Sequence, residues 1–351
     1  MTVVDDIRSV GRIAEPKLLP RDRERVLGEW SIGVEPCDVP ALATVIRHGH
    51  AVPGSRIAAR VGDEVLTYGE LFGAKDHRRR SPVSDIGPCG DALVGLLAEF
   101  VAAVRAGGGR FGDRGLLLGL DALAVAVADR RCVAADRRPC RIDPALRPAD
   151  VRLLALPWGE AQNSVDLIAA WSAGATVIVP TETQRRDPLA LAGLVERYAV
   201  TQVVAEVETP IRLVTAGSGR LPTVARWDLV GIRGGAELSA ALRTLTPEAV
   251  ATFALHVPAY LGPVTRGAVA ATGWTRPVPG AKALILDPEL RPVPPGVAGQ
   301  IYVGGCALAE GFADGGDRHR FLDDPFEPGG RLFRSGHRAW WTSEGRLIVE
   351  S

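Results

Sequence analysis

The chain has 351 residues, 46% hydrophobic and 23% charged, which is enough to bury one large or two medium cores and too apolar for a disordered protein. Its 41 Lys and Arg balance 41 Asp and Glu, so net charge gives no reason for a nucleic-acid or anionic-membrane partner. Five scattered cysteines without a C-x-x-C pair give no basis for a disulfide framework or a zinc site, and 40 Gly with 26 Pro predict many tight turns.

The expectation for metal ligands and cofactors is none. No basic-then-apolar leader follows Met1, and the longest apolar run, 116–128, carries Asp121 and is too short to cross a bilayer. The expected setting is cytoplasmic and reducing.

Within residues 1–50, the run from Pro20 to Trp30 places Val26, Leu27 and Trp30 on one helix face, which predicts a linker helix that docks. Apolar residues alternate from Arg56 to Leu66 around Gly62-Asp63, predicting a β-hairpin, and Thr67 with Glu70 three residues on caps a following helix. Residues 73–90 read as loop, and 91–106 as a helix stopped by Gly107-Gly108-Gly109. Strands are predicted near 153–156, 176–179 and 202–205, separated by a helix through Trp171 and another over 188–198, an alternation that implies parallel pairing. After Thr272 come short strands near 283–286, 300–303 and 346–349 between Gly and Pro turns, an antiparallel β module.

The C-terminal third carries the most specific signal. Arg276-Pro277-Val278-Pro279-Gly280, Leu290-Arg291-Pro292-Val293-Pro294-Pro295-Gly296 and Gly299-Gln300-Ile301-Tyr302-Val303-Gly304-Gly305 closely resemble consecutive motifs of nonribosomal peptide synthetase adenylation domains. Leu66-Thr67-Tyr68-Gly69-Glu70-Leu71, Ser172-Ala173-Gly174-Ala175-Thr176 and Gly234-Gly235-Ala236-Glu237-Leu238 follow in the family's order. The resemblance implies an α/β fold, the large N-terminal subdomain of the adenylate-forming fold, with parallel-sheet layers, one of them shortened, and a C-terminal antiparallel β module. It divides the chain into 1–50, similar to the linker between condensation and adenylation domains, 51–271, a shortened α/β part, and 272–351, the β-rich module. The family's small C-terminal subdomain, with its catalytic Lys, is expected to be absent from these residues.

Adenylation brings a carboxylate to the α-phosphate of ATP, so polyphosphate, magnesium, nucleoside and acid must be held in line. The family's Ser/Thr/Gly-rich phosphate loop with its Lys belongs between the helix starting at Asp91 and Arg152, yet 110–150 contain no Lys and span about half the length the resemblance implies. The family's Asn-x-Tyr-Gly-Pro-Thr-Glu is similar to Ala259-Tyr260-Leu261-Gly262-Pro263-Val264-Thr265, so Thr265 stands for the magnesium-binding Glu, and Leu261 for the adenine-stacking aromatic unless a one-residue slip lets Tyr260 serve. Tyr-Arg-Thr-Gly-Asp is similar to Phe333-Arg334-Ser335-Gly336-His337, so His337 replaces the Asp that would accept both ribose hydroxyls. Ala161 falls where an Asp would hold the substrate amine, with Glu160 one position away. The nucleotide-site positions implied are Gly234, Gly235, Ala236, Tyr260, Gly262, Pro263, Thr265 and His337, and the substrate-site positions Glu160 and Ala161, with no catalytic residue among them.

Other patterns read as structure. Gly107, Gly109 and Gly112 spell a dinucleotide fingerprint but follow a predicted helix, His48 and His50 lack a third ligand, and Gly217-Ser218-Gly219 lacks a nucleophile elbow's spacing. The reading favoured is therefore a silent domain that holds neighbouring condensation and carrier domains, with another adenylation enzyme supplying the carrier in trans. A divergent active adenylating enzyme and a non-catalytic nucleotide or small-molecule binding module are the alternatives.

Overall fold

A computed structural model describes residues 18–33, 51–61, 64–69, 132–133, 146–157, 166–167, 169–171, 173–232, 234–260, 262–270, 273–309, 311–312 and 317–350. Glu160, Ala161, Leu261, His48, His50, the predicted helix over 91–106 and the glycines Gly107, Gly109 and Gly112 lie outside them.

The main sheet has nine strands: β1 (Ile57–Val61), β2 (Glu64–Thr67), β4 (Val151–Leu154), β5 (Thr176–Val179), β6 (Gln202–Glu206), β7 (Arg226–Val230), β8 (Val250–His256), β9 (Pro263–Ala268) and β10 (Arg276–Pro277). Their spatial order is β10-β9-β8-β7-β6-β4-β5-β1-β2. The six strands from β8 to β1 pair in parallel, while β9, β10 and β2 close the edges antiparallel. Parallel strands covered on both faces read as continuous apolar runs, and Gln202–Glu206 with buried Val203, Val204 and Ala205 is one.

The covering helices include α2 (Glu182–Arg186), α3 (Pro188–Arg197), α4 (Thr209–Thr215) and α5 (Ala236–Leu245). Thr181 caps α2 through a reciprocal bond with Gln184, and Asp187 caps α3 by accepting from the amides of Leu189 and Ala190. Leu191 and Val195 of α3, Leu213 of α4 and Leu238 and Leu242 of α5 bury one sheet face with Val203, Trp227, Leu229 and Phe253. On the opposite face, Leu154, Val177, Val179 and Val204 pack with Leu167, Ala170 and Trp171.

That second face also carries a buried ionic network. Arg152 donates to Gln202 Oε1 at 2.6 Å, to Asp166 Oδ1 at 2.5 Å and to Asp228 Oδ2 at 2.9 Å. Burial alone would lower the Arg152 pKa, but the charges of Asp166 and Asp228 outweigh it and raise it further. Asp228 is desolvated as well, yet Arg152 and Arg226 hold its carboxyl down to about 2.

The β module is a second sheet, β11 (Ala281–Leu286), β12 (Gly299–Gly305), β15 (Arg331–Trp341) and β14 (Phe321–Asp323), with β16 (Leu347–Val349) paired to β15. All its pairings are antiparallel. One face joins Ile285, Ile301, Val303 and Phe333 to Leu255 and Val264 of the main sheet and to Tyr260 between β8 and β9, and the other buries Leu284, Leu286, Tyr302 and Leu332. A two-stranded pair, β3 (Cys132–Val133) with β13 (Gly311–Phe312), is antiparallel.

The predicted linker helix is α1 (Pro20–Glu24), which continues as a π turn over Arg25–Glu29 rather than as α-helix to Trp30. It docks as expected: Val26 and Trp30 are buried, and the Trp30 ring lies 6.1 Å from that of Trp341. Trp30 presses so closely on Gly345 that a Cβ there would meet the indole at 2.5 Å. The next residues then run along the edge of β11, where Ser31 O accepts from Ala283 N and Gly33 N donates to Ala281 O.

Candidate functional site

Parallel strands bring all their C-terminal ends to one edge of a sheet, and a ligand crevice opens where the strand order reverses. Here β4 is followed in sequence by β5 on one side and by β6, β7 and β8 on the other, so the reversal lies between β4 and β6. The loops leaving that edge include those after Leu154, Val179, Glu206, Val230 and His256. They contain the positions singled out from the sequence, except Pro263 and Thr265 on β9 and His337 on β15; of these loops, the one bearing Glu160 and Ala161 is not described.

After β7 the backbone reaches Gly234, Gly235 and Ala236. Gly234 is buried, and a Cβ there would stand 3.0 Å from the Phe253 ring, while the Gly234 carbonyl is approached so closely by Gly273 that a Cβ on the latter would meet it at 2.1 Å. Gly235 precedes α5 in extended conformation without a side-chain cap, and exposed Ala236 starts the helix.

After β8, Tyr260 turns inward. It is 2% exposed, its hydroxyl lies 3.3 Å from the Gly280 carbonyl, and its ring belongs to the core shared with the β module, so it presents no stacking face to a ligand. Gly262 adopts φ +95°, a conformation that favours glycine, and Pro263 opens β9 opposite His256. Thr265 lies between Leu255 and Pro277 on the neighbouring strands, fully buried, with a hydroxyl that finds no hydrogen-bond partner among the described residues. A magnesium ion requires several anionic or carbonyl oxygens, and a single neutral hydroxyl sealed in a core does not supply them. Among the described residues no group of three His, Cys, Asp or Glu side chains could hold a metal ion. These residues do not fit magnesium.

His337 sits in a bulge of the β module. Between the pairs Gln300↔Arg338 and Tyr302↔Arg334, β12 contributes one residue while β15 contributes Ser335, Gly336 and His337. Gly336 at φ +91° makes the turn, and Ser335 donates to the Ile301 carbonyl at 2.9 Å. Arg320 donates to the carbonyls of Arg334 and Ser335 at 2.8 and 2.6 Å, and Gln300 donates to that of His337 at 2.6 Å. Burial, reinforced by the Arg320 charge, lowers the His337 pKa and keeps the imidazole neutral near pH 7. A neutral imidazole accepts one hydrogen bond, where a carboxylate accepts several.

Sequence reasoning passed over two residues at this edge. His256 ends β8, and burial with the nearby Arg266 charge drives its pKa down to about 3. Glu206 ends β6 at the reversal itself, half-buried. A cleft of about 540 Å³ on the β module is lined by Ile32, Cys306, Leu308 and the Lys282–Asp324 pair, and by none of the predicted positions that fall among the described residues.

Residues 130–313 match the family model described as AMP-binding enzyme. The chain belongs to the AMP-binding enzyme family. Within it, this is an adenylation-type domain of the peptide-synthetase kind, with the fold of the N-terminal subdomain. Phosphinothricin tripeptide synthetase PhsB of Streptomyces viridochromogenes is 34% identical over 188 residues, 50% of this chain and 15% of that protein. The CymA protein of Salinispora arenicola is 32% identical over 289 residues, 77% of this chain and 3% of that protein. The chain therefore spans a small part of the length of these curated relatives. The solved peptide synthetase FmoA3 superposes over 94% of this chain and 44% of its own, with a TM-score of 0.70 at 18% identity. The Klebsiella oxytoca NpsA N-terminal subdomain, solved with 3-hydroxyanthranilyl-AMSN, superposes over 90% of this chain and 99% of its own, with a TM-score of 0.60 at 14% identity. No helix among the described residues is long and apolar enough to cross a membrane.

Proposed function

We propose that this AMP-binding family member is a catalytically silent adenylation domain, retained as a scaffold that holds condensation and carrier domains of a peptide synthetase. Another adenylation enzyme then supplies the carrier's amino acid in trans. The observation that carries this reading is the fully buried, uncharged Thr265 at the position that resembles the magnesium-binding Glu. It is joined by neutral His337 at the ribose position and by the lack of any Lys over 110–150. Losing two or three charge-assisted contacts at roughly 2–4 kcal/mol each slows adenylate formation by many orders of magnitude. Large peptide-synthetase relatives support condensation and carrier domains as the neighbours.

The test is exchange of labelled pyrophosphate into ATP with each standard amino acid in turn. Exchange at the protein-free background supports the silent reading. Amino-acid-dependent exchange would establish a divergent active enzyme instead, and saturable ATP or AMP binding without exchange would favour a nucleotide-binding module.

A further inference from the structure

The chain leaves α1 through its π turn, in which the Trp30 amide donates to the Arg25 carbonyl at 2.9 Å. That winding delivers Trp30 to Trp341, and Val26 and Trp30 are both buried in the core that the β module shares with the main sheet. The three residues that follow are held differently. Ser31 to Gly33 lie along the outer edge of β11 through two backbone hydrogen bonds, from Ala283 N to Ser31 O at 2.8 Å and from Gly33 N to Ala281 O at 3.1 Å.

Side chains add little to this contact, and one opposes it. Ile32 stands across from Lys282 with 45% of its surface exposed, against 6% for Trp30. The Ser31 hydroxyl is completely buried and has no hydrogen-bond partner among the described residues, so the docked segment bears the full desolvation of that group. Water satisfies the same hydroxyl once the segment lifts. Gly33 has no side chain to bury, and a Cβ there would collide with the Val278 carbonyl, so the docked position admits only glycine. An unmade hydrogen bond, an exposed isoleucine and a glycine thus follow directly on a strong aromatic anchor.

We propose that Ser31–Gly33 form a releasable strap, hinged at the Trp30 anchor, which lifts from β11 while the sheet beneath it stays closed. Lifting takes Ile32 out of the wall of the cleft of about 540 Å³ and bares the Ala281 carbonyl and the Ala283 amide on the edge of β11. The strap needs neither nucleotide nor magnesium, so it goes beyond the silent reading and stands or falls separately from it.

The experiment is native-state amide hydrogen exchange of the full chain, read by mass spectrometry at single-amide resolution. Strand alternation points the Ala283 amide at the strap and the Leu284 amide at β12, where Leu284 lies opposite Tyr302, so adjacent amides report strap and sheet separately. Corrected for intrinsic rates, the Ala283 and Gly33 amides should exchange at least about tenfold faster than Leu284. Ser31→Ala removes the orphaned hydroxyl and should slow the Ala283 amide about fivefold or more. Gly33→Ala cannot dock, so it should leave the Ala283 amide without protection while the Trp30 and Leu284 amides stay protected. The proposal is overturned if Ala283 exchanges no faster than Leu284, or if Ser31→Ala leaves its rate unchanged or raises it. It is equally overturned if Gly33→Ala keeps Ala283 protected, strips the Trp30 amide as well, or fails to fold, since strap and anchor would then be one unit. Pyrophosphate exchange bears on none of these outcomes.

Discussion

Replacing Arg152 with Met keeps most of its volume and removes the guanidinium shared by Asp166, Asp228 and Gln202. Arg152 is 3% exposed, and Asp166 and Asp228 are 3% and 7% exposed, so solvent screens the loss poorly. Arg226 stays on Asp228 and softens the effect there. Stripping one partner from a buried ionic group costs about 3–5 kcal/mol, a large share of a domain's stability. The pH dependence supplies a signature that a packing defect would not give. In the parent, Asp228 is held down to about 2, so its contribution is complete above the ordinary carboxylate range near pH 4 and is lost as pH falls toward 2. In the variant Asp228 is buried without that guanidinium and its pKa rises, so the folded variant takes up a proton at higher pH than the folded parent does. Arg152→Met should therefore lose less stability at pH 5 than at pH 7. Denaturant unfolding followed by tryptophan fluorescence at both pH values measures this. A loss below about 1 kcal/mol, or one that grows as pH falls from 7 to 5, would refute the electrostatic account.

Trp30→Ala should destabilise the β module by about 3–5 kcal/mol, read as a lower unfolding midpoint, because it empties the space between Trp341 and Gly345. His256 is neutral in the fold with its pKa near 3, whereas the unfolded chain takes up a proton below about pH 6.5. Stability should therefore fall by roughly 1.4 kcal/mol for each pH unit below that point until pH 3, and His256→Leu should flatten this limb in a urea-midpoint profile. Gly345→Ala should destabilise as well, since Gly345 has φ +71° and the Trp30 indole occupies the place of its Cβ.

The parallel core was legible because strands buried on both faces leave apolar runs such as Thr176–Val179, and turn residues separate them. The docking of Trp30 was legible for a similar reason, although its last turn winds as a π-helix that no local pattern announces. Thr265 and His337 were found through motif position, but their burial and hydrogen bonding were not, because these depend on Leu255, Pro277, Arg320 and Gln300. The ionic network joins residues 14 and 76 positions apart, a separation invisible to any local window. Glu206 is harder still. It reads as an ordinary polar end to an apolar strand, and only the placement of β4 between β5 and β6 puts it at a crevice.

We propose that this adenylation-type domain makes no adenylate, and the most direct measurement works at the level of one turnover. Stoichiometric protein is incubated with labelled ATP, magnesium and the pooled standard amino acids, and the quenched mixture is analysed for AMP and aminoacyl-adenylate. The account predicts that neither product exceeds the protein-free control even after hours. About one equivalent of AMP per chain, formed only when amino acid is present, would contradict it.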